Sequence, residues 1–220
     1  MRILTMANSH KIYTCNVYLV LGSFSQLEDV NTLVDVGQDP AILESIAKAP
    51  TGLGKRPVEQ VVLTHDHSDH TALLPLIREK FHPRVLAFSP ALNGPHVALH
   101  DGDRVKMGDE DFEVIYTPGH SSDSVCFYNR TEGVLFVGDS PVLTASATGT
   151  YERGFLEALS KICALNVRTI YFGHGEPATD RCNERLLESY RMASGSRAAP
   201  GEQPQVQHQA PVMAHNSTEN

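Results

Sequence analysis

Apolar residues fall along this chain in two kinds of run, and the two kinds alternate. Short unbroken stretches at Thr14 to Leu21, Asn31 to Val36, Val61 to Leu63 and Val85 to Phe88 read as buried strands. Between them the apolar positions recur at helical spacing. Ile42, Ile46 and Ala49 share one face of a helix predicted over Ala41 to Ala49. Leu73, Leu74, Leu76, Ile77 and Phe81 stripe a second over Ala72 to Phe81, with Ser68 as its N-cap. The rhythm then repeats with more strands: Phe112 to Thr117, Ser124 to Tyr128 and Val134 to Val137, the last two joined by a turn at Asn129 to Gly133. A helix follows over Tyr151 to Leu165, then a strand over Val167 to Phe172, then a last helix capped by Asp180 and running through Arg191. Strands and helices alternating twice over predict an α/β fold of two sheets packed face to face with helices outside. The periodicity stops at Ser194, where Gly, Pro and Gln take over. The foldable domain is therefore assigned to residues 1–193, and residues 194–220 to a flexible tail whose His208 and His215 are bystanders.

Composition narrows the function without naming it. A chain of 220 residues is long enough for one full hydrophobic core, and its 41% hydrophobic and 20% charged content is ordinary for a globular protein. A formal net charge of −8 argues against a nucleic-acid partner. Met1 to Tyr13 lacks the apolar stretch of a secretory signal, and no apolar run approaches the ~20 residues of a membrane span. The expectation is a cytoplasmic protein with no membrane partner, acting on a small molecule. Cys15, Cys126, Cys163 and Cys182 form no CxxC pair and read as reduced thiols. Gly52-Leu53-Gly54-Lys55 lacks the full spacing of a phosphate loop and reads as ordinary surface.

The chemistry concentrates in Thr64-His65-Asp66-His67-Ser68-Asp69-His70, which sits between a strand and a helix. Three imidazoles and two carboxylates in seven residues suit zinc or another divalent first-row ion. Asp66 alternates away from its neighbours and is expected to be solvated or to stabilise the loop. Three further polar residues stand where an apolar run stops beside a glycine: His120 after Gly119, Asp139 after Gly138, and His174 between Gly173 and Gly175. Strand ends can converge on one sheet edge, so residues distant in sequence can meet there. His10, His82, His96 and His100 stand outside this pattern and read as structural.

With these motifs in order, from Asp35 in Leu33-Val34-Asp35-Val36-Gly37 through HxHxDH to His120, Asp139 and His174, the chain resembles the metallo-β-lactamase superfamily over about Tyr13 to Arg191. The resemblance implies a four-layer αββα sandwich of two mixed β-sheets and a binuclear site with two Zn2+ per chain, or Fe or Mn in their place. It implies that His65, His67 and His120 hold the first ion, Asp69, His70 and His174 the second, and that Asp139 bridges them. Asp35 would orient a ligating histidine or steady its loop. The implied activity is hydrolysis of a small ester, thioester or lactone by a hydroxide bridging the ions, with Asp69 also handling the proton for the leaving group. The complete donor set points to the glyoxalase II-like branch. Ser140-Pro141-Val142-Leu143-Thr144 and Gly175-Glu176-Pro177, however, depart from the glutathione-binding segments of glyoxalase II. A mononuclear iron persulfide dioxygenase and a non-catalytic metal-binding module are the alternatives. Residues 140–151 are expected at the pocket mouth, with Tyr151 or Phe155 touching substrate.

Overall fold

The computed structural model describes residues 1–144 and 151–195. Six strands form the first sheet in chain order: β1 (Arg2–Thr5), β2 (Tyr18–Leu21), β3 (Thr32–Val34), β4 (Gln60–Val62), β5 (Arg84–Ala87) and β6 (Val97–Ala98). β1, β2 and β3 pair antiparallel, and β3 through β6 run parallel. The second sheet has the order β11-β10-β9-β8-β7, from β7 (Arg104–Met107), β8 (Glu110–Tyr116), β9 (Val125–Asn129), β10 (Val134–Gly138) and β11 (Thr169–Phe172). Its pairs are antiparallel except β10 with β11. The helices are α1 (Ile42–Lys48), α2 (Ser68–Thr71), α3 (Leu74–Phe81), α4 (Arg153–Cys163) and α5 (Cys182–Ala193).

Strand alternation builds the layers. In β2, Tyr18 and Val20 face the second sheet, where they pack with Phe112, Val114, Phe127 and Phe136. Leu19 and Leu21 face outward and pack with Ile42, Ile46 and Ile77 of α1 and α3. The second sheet repeats the device: Leu135 and Val137 face Phe155, Leu159 and Ile162 of α4 and Leu186 of α5. A strand buried on both faces reads as a continuous apolar run, which is why β2, β9 and β10 are legible in sequence. The result is the expected αββα sandwich.

Several local expectations need correction. The helix predicted over Ala72 to Phe81 starts at Leu74, and a separate short helix, Ser68–Thr71, precedes it. The Leu73 N–H donates to Gly37 O instead of to a helical carbonyl, and Pro75, which has no N–H to give, opens α3. Ser68 is the first residue of α2 and not its cap; His67 takes that place in extended conformation. Leu76, counted in the apolar stripe, is 44% exposed, because α3 buries Leu74, Ile77 and Phe81. Arg181, with a left-handed φ of 49°, takes the N-cap position expected of Asp180. β1, β6 and β7 were not foreseen: β7 alternates Arg104, Val105, Lys106 and Met107, the pattern of an edge strand with one buried face. Residues 196–220 of the expected tail and residues 145–150 lie outside the described residues. Among the described residues no helix is long and apolar enough to cross a membrane.

Candidate metal centre

Parallel pairing gathers the polar residues at one end of the sandwich. Val34 pairs with Val62, so Asp35 and the Thr64–His70 stretch leave the first sheet side by side. Gly138 pairs with Phe172, so Asp139 and His174 leave the second sheet together. The sheets are joined at this edge, where Val125 N–H of β9 donates to Thr64 O at 2.9 Å. His120 hangs from the loop between β8 and β9, which is closed by a bond from Thr117 N–H to Ser124 O. In the first turn of α2, Asp69 and His70 point back to the same end. The His70 carbonyl accepts from the N–H groups of Val36 and Gly37, which ties that turn to the loop after β3.

All seven sequence-predicted residues arrive in one place, as two abutting groups. His65, His67 and His120 form one, and Asp69, His70, Asp139 and His174 the other; within each, one donor atom per residue lies within 4.8 Å of the rest. His67 Nδ1 lies 3.0 Å from His120 Nε2, and His174 Nε2 lies 3.1 Å from Asp69 Oδ2. His70 Nε2 is 3.7 Å from Asp69 Oδ2 and 3.4 Å from Asp139 Oδ1. Asp139 Oδ2 is 3.6 Å from His120 Nε2 and 3.5 Å from His174 Nε2, so this carboxylate reaches both groups. Donors bound tetrahedrally at the usual ~2.0–2.1 Å of zinc–nitrogen bonds stand roughly 3.3 Å apart. The observed separations bracket that value.

The hydrogen bonds behind the rings set their tautomers. Asp35 is buried at a left-handed φ of 57° and accepts three bonds. Its Oδ1 takes Thr64 N–H, and its Oδ2 takes the Thr64 hydroxyl and His70 Nδ1, each at 2.8 Å. Because the Thr64 hydroxyl is spent on Asp35, its oxygen is free to accept from His65 Nδ1 at 3.1 Å. Asp35 thus governs one histidine in each group, His70 directly and His65 through Thr64. With both Nδ1 atoms occupied, both Nε2 atoms face the site, and these two are buried without a hydrogen-bond partner. Orphaned polar atoms of this kind are costly to bury unless something else satisfies them, and a cation does so.

Electrostatics differ between the two groups. Burial pushes His65 down to about 4, against the pull of Asp35 and Asp139, so its imidazole is neutral and a lone pair is available. Burial lowers His120 as well. For His70, burial opposes the charged form, but Asp35 and Asp139 outweigh it and raise the imidazole well above its ordinary value. Burial would raise Asp139, yet nearby His70, 3.4 Å away, and the surrounding imidazoles hold it down at about 2.

Other expectations resolve plainly. Asp66 accepts from Ser89 Oγ at 2.8 Å and braces the loop. His10, His82, His96 and His100 lie outside both donor groups; His82 closes α3 in left-handed conformation and His100 contacts Asp103. Pro141, Tyr151 and Phe155, with Gly119, Glu152, His120 and Asp139, line a cleft of about 290 Å³. A second cleft of about 290 Å³ runs from His120 and Asp139 to Leu143, Phe172 and His174. Three residues were missed. Cys15 is buried against Asp35 and His70, and burial pushes its thiol up to about 11, so it packs there as a neutral group. Asn16 Nδ2 donates to Phe172 O and Gly175 O and holds the His174 loop. Tyr13 stacks on His174. Their one sequence signal is their position ahead of a buried strand.

Two mixed sheets in an αββα sandwich, with paired imidazole and carboxylate groups at one edge, define a fold class with a double donor site suited to metal ions. A family model described as the metallo-beta-lactamase superfamily matches residues 11–96 and 86–174, and the chain belongs to that superfamily. Atrochrysone carboxyl ACP thioesterase of Aspergillus fumigatus is 31% identical over 155 residues, covering 65% of this chain and 46% of that protein. Hydroxyacylglutathione hydrolase of Klebsiella pneumoniae is 33% identical over 111 residues, covering 49% and 41%. The chain spans about half the length of the curated relatives it matches. The crystal structure of ETHE1 from Myxococcus xanthus superposes with a TM-score of 0.64 at 19% identity, covering 91% of this chain and 93% of that one, a likeness of fold.

Proposed function

We propose that this chain is a metal-dependent hydrolase of a small ester, thioester or lactone. The observation that carries the reading is Asp139, whose carboxylate lies within 3.6 Å of His120 in one donor group and within 3.5 Å of both His70 and His174 in the other. Such a carboxylate suits two ions held side by side. His65, His67 and His120 would hold the first, Asp69, His70 and His174 the second, and Asp139 both; the ions are taken as zinc, with iron or manganese accepted by the same donors. When bound, a pair of divalent ions makes water a nucleophile at neutral pH and stabilises charge on the carbonyl oxygen.

The chain's own residues do the rest. Asp35 and Thr64 fix the rings of His70 and His65 with Nε2 inward. Asp69 Oδ2 stands beside His174 and His70 at the open side of the second group, where a carboxylate can accept the water proton and return it to the leaving group. Pro141, Leu143, Phe172, Tyr151 and Phe155 give apolar walls to the two clefts that meet at His120 and Asp139. Thioesters come first in the substrate order, because the relatives include a thioesterase and a hydroxyacylglutathione hydrolase.

The deciding experiment reconstitutes the full chain with zinc, counts metal by elemental analysis, and screens thioesters, lactones and oxygen esters. The expected result is about two ions per chain and turnover on at least one class, abolished by Asp69→Ala. A single ion with no turnover refutes the reading. Oxygen consumption on a persulfide by iron-loaded protein would replace it with a dioxygenase, and a full metal complement that turns over nothing would leave a metal-binding module.

A further inference from the structure

Tyr13 is a large aromatic residue left 71% exposed, yet its hydroxyl points inward. The ring stacks on His174, with centroids 5.0 Å apart and planes 18° from parallel. Its Oη lies 3.3 Å from His174 Nε2, the same atom that faces Asp69 Oδ2 at 3.1 Å and Asp139 Oδ2 at 3.5 Å.

The segment beneath the ring is fastened from both sides. The Gln38 side-chain amide donates to Tyr13 O, and Gln38 N–H donates to Thr14 Oγ1 at 2.9 Å. Cys15 N–H donates to Asp69 O at 3.3 Å, and Asn16 N–H to Gly173 O at 2.6 Å. Residues 13–16 are thus pinned to the loop after β3, to α2 at Asp69 and to the loop that carries His174, and Tyr13 keeps its place relative to the donors.

The Nε2 lone pair of His174 serves one partner at a time. In the reading above, on which this inference rests, it serves a metal, and the Tyr13 O–H is left at the rim of the second donor group with a hydrogen to give. We propose that Tyr13 is a catalytic residue whose phenol donates a hydrogen bond to the substrate's carbonyl oxygen on the His174 side as that oxygen gains negative charge. A donor placed where charge develops lowers the barrier without tightening ground-state binding.

Tyr13→Phe keeps the stacked ring and removes the O–H. In the zinc-loaded full chain the variant is expected to keep its metal content and its affinity in chelator competition within about twofold. It is expected to keep KM within about twofold and to lose about tenfold or more in kcat on a thioester, since single donors of this type are worth roughly 10²–10³ when shielded from water and less when exposed. A second readout needs no turnover. The chain has seven tyrosines and no tryptophan, so zinc titration of the apo-protein can be followed by tyrosine emission. Release of the Tyr13 hydroxyl from its contact with His174 should change emission in the wild type and not in Tyr13→Phe. Wild-type kcat in the variant, or loss of its zinc, overturns the proposal while leaving the hydrolase reading intact. A wild-type protein that holds two ions and cleaves none of the three substrate classes overturns the hydrolase reading, and the proposal with it.

Discussion

Asp35→Asn isolates the group that commands both donor clusters. The backbone is no obstacle, because asparagine tolerates the left-handed φ of 57° found at this position, whereas alanine there would add a strain of ~1–2 kcal/mol. The change is nearly isosteric, so what it alters is hydrogen bonding. The carboxylate offers two acceptor oxygens to three donors: Thr64 N–H, the Thr64 hydroxyl and His70 Nδ1–H. The amide offers one oxygen and one NH2. Whichever way it is turned, a buried donor faces a donor, which costs about 1–3 kcal/mol. For a domain of this size about 2 kcal/mol corresponds to a fall of roughly 4–8 °C in Tm. If the oxygen turns to Thr64 N–H, His70 loses its Nδ1 acceptor and its ring is free to present the wrong nitrogen. If the oxygen turns to His70, the Thr64 main chain is stranded and the loop carrying His65 shifts. Either outcome disturbs a histidine proposed as a ligand, and loss of such a supporting partner typically lowers metal affinity 10–100-fold. The assays are thermal unfolding of the apo-protein and competition for zinc against a chromophoric chelator. A variant whose zinc competition matches wild type, whatever its Tm, would refute the claim that Asp35 prepares the histidines and would leave it a role in folding alone.

Two glycine and charge changes test other parts of the site. A Cβ on Gly173 would stand 2.1 Å from Asp139 Oδ1 and 2.8 Å from His70 Cε1; Gly173→Ala should therefore keep a wild-type far-ultraviolet circular dichroism spectrum and lose at least half the bound zinc by elemental analysis, and full retention of metal would contradict the placement of Asp139. Apart from His120, Asp139 and His174, Glu152 is the single charged side chain among the described residues lining the two clefts. Glu152→Lys should raise kcat/KM for an acyl thioester ending in a carboxylate about threefold relative to its uncharged counterpart, the ~0.5–1 kcal/mol expected of one exposed charge pair. An unchanged ratio would place the acyl group elsewhere.

The inner strands were legible because burial on both faces leaves continuous apolar runs, as in Tyr18–Leu21 and Val134–Gly138, and the outer helices because one buried face repeats at helical spacing, as with Ile42 and Ile46. β7 was not, because an edge strand with alternating lysine and arginine looks like loop. Helix ends failed where tertiary bonds replaced side-chain caps. The break at Leu73 depends on Gly37, thirty-six positions earlier, and no local pattern encodes that bond. The seven donors were legible because each ends an apolar run or belongs to one crowded motif.

What supports the donors divides differently. Asp35 stood out because it also closes a strand, and the parallel register of β3 with β4 delivers it to Thr64 and His70. Tyr13, Cys15 and Asn16 did not, although they touch α2, which bears Asp69 and His70, or the loop that bears His174. They approach from the loop between β1 and β2, through main-chain bonds that any residue type could make. Their side chains matter only once the fold has set that loop against β11. A motif records residues that meet through regular strand geometry, and these meet through irregular backbone. Differences in reaction between proteins that share the seven donors should therefore be sought first in such loops, since the donors themselves hold no information about which acyl group or leaving group the site admits.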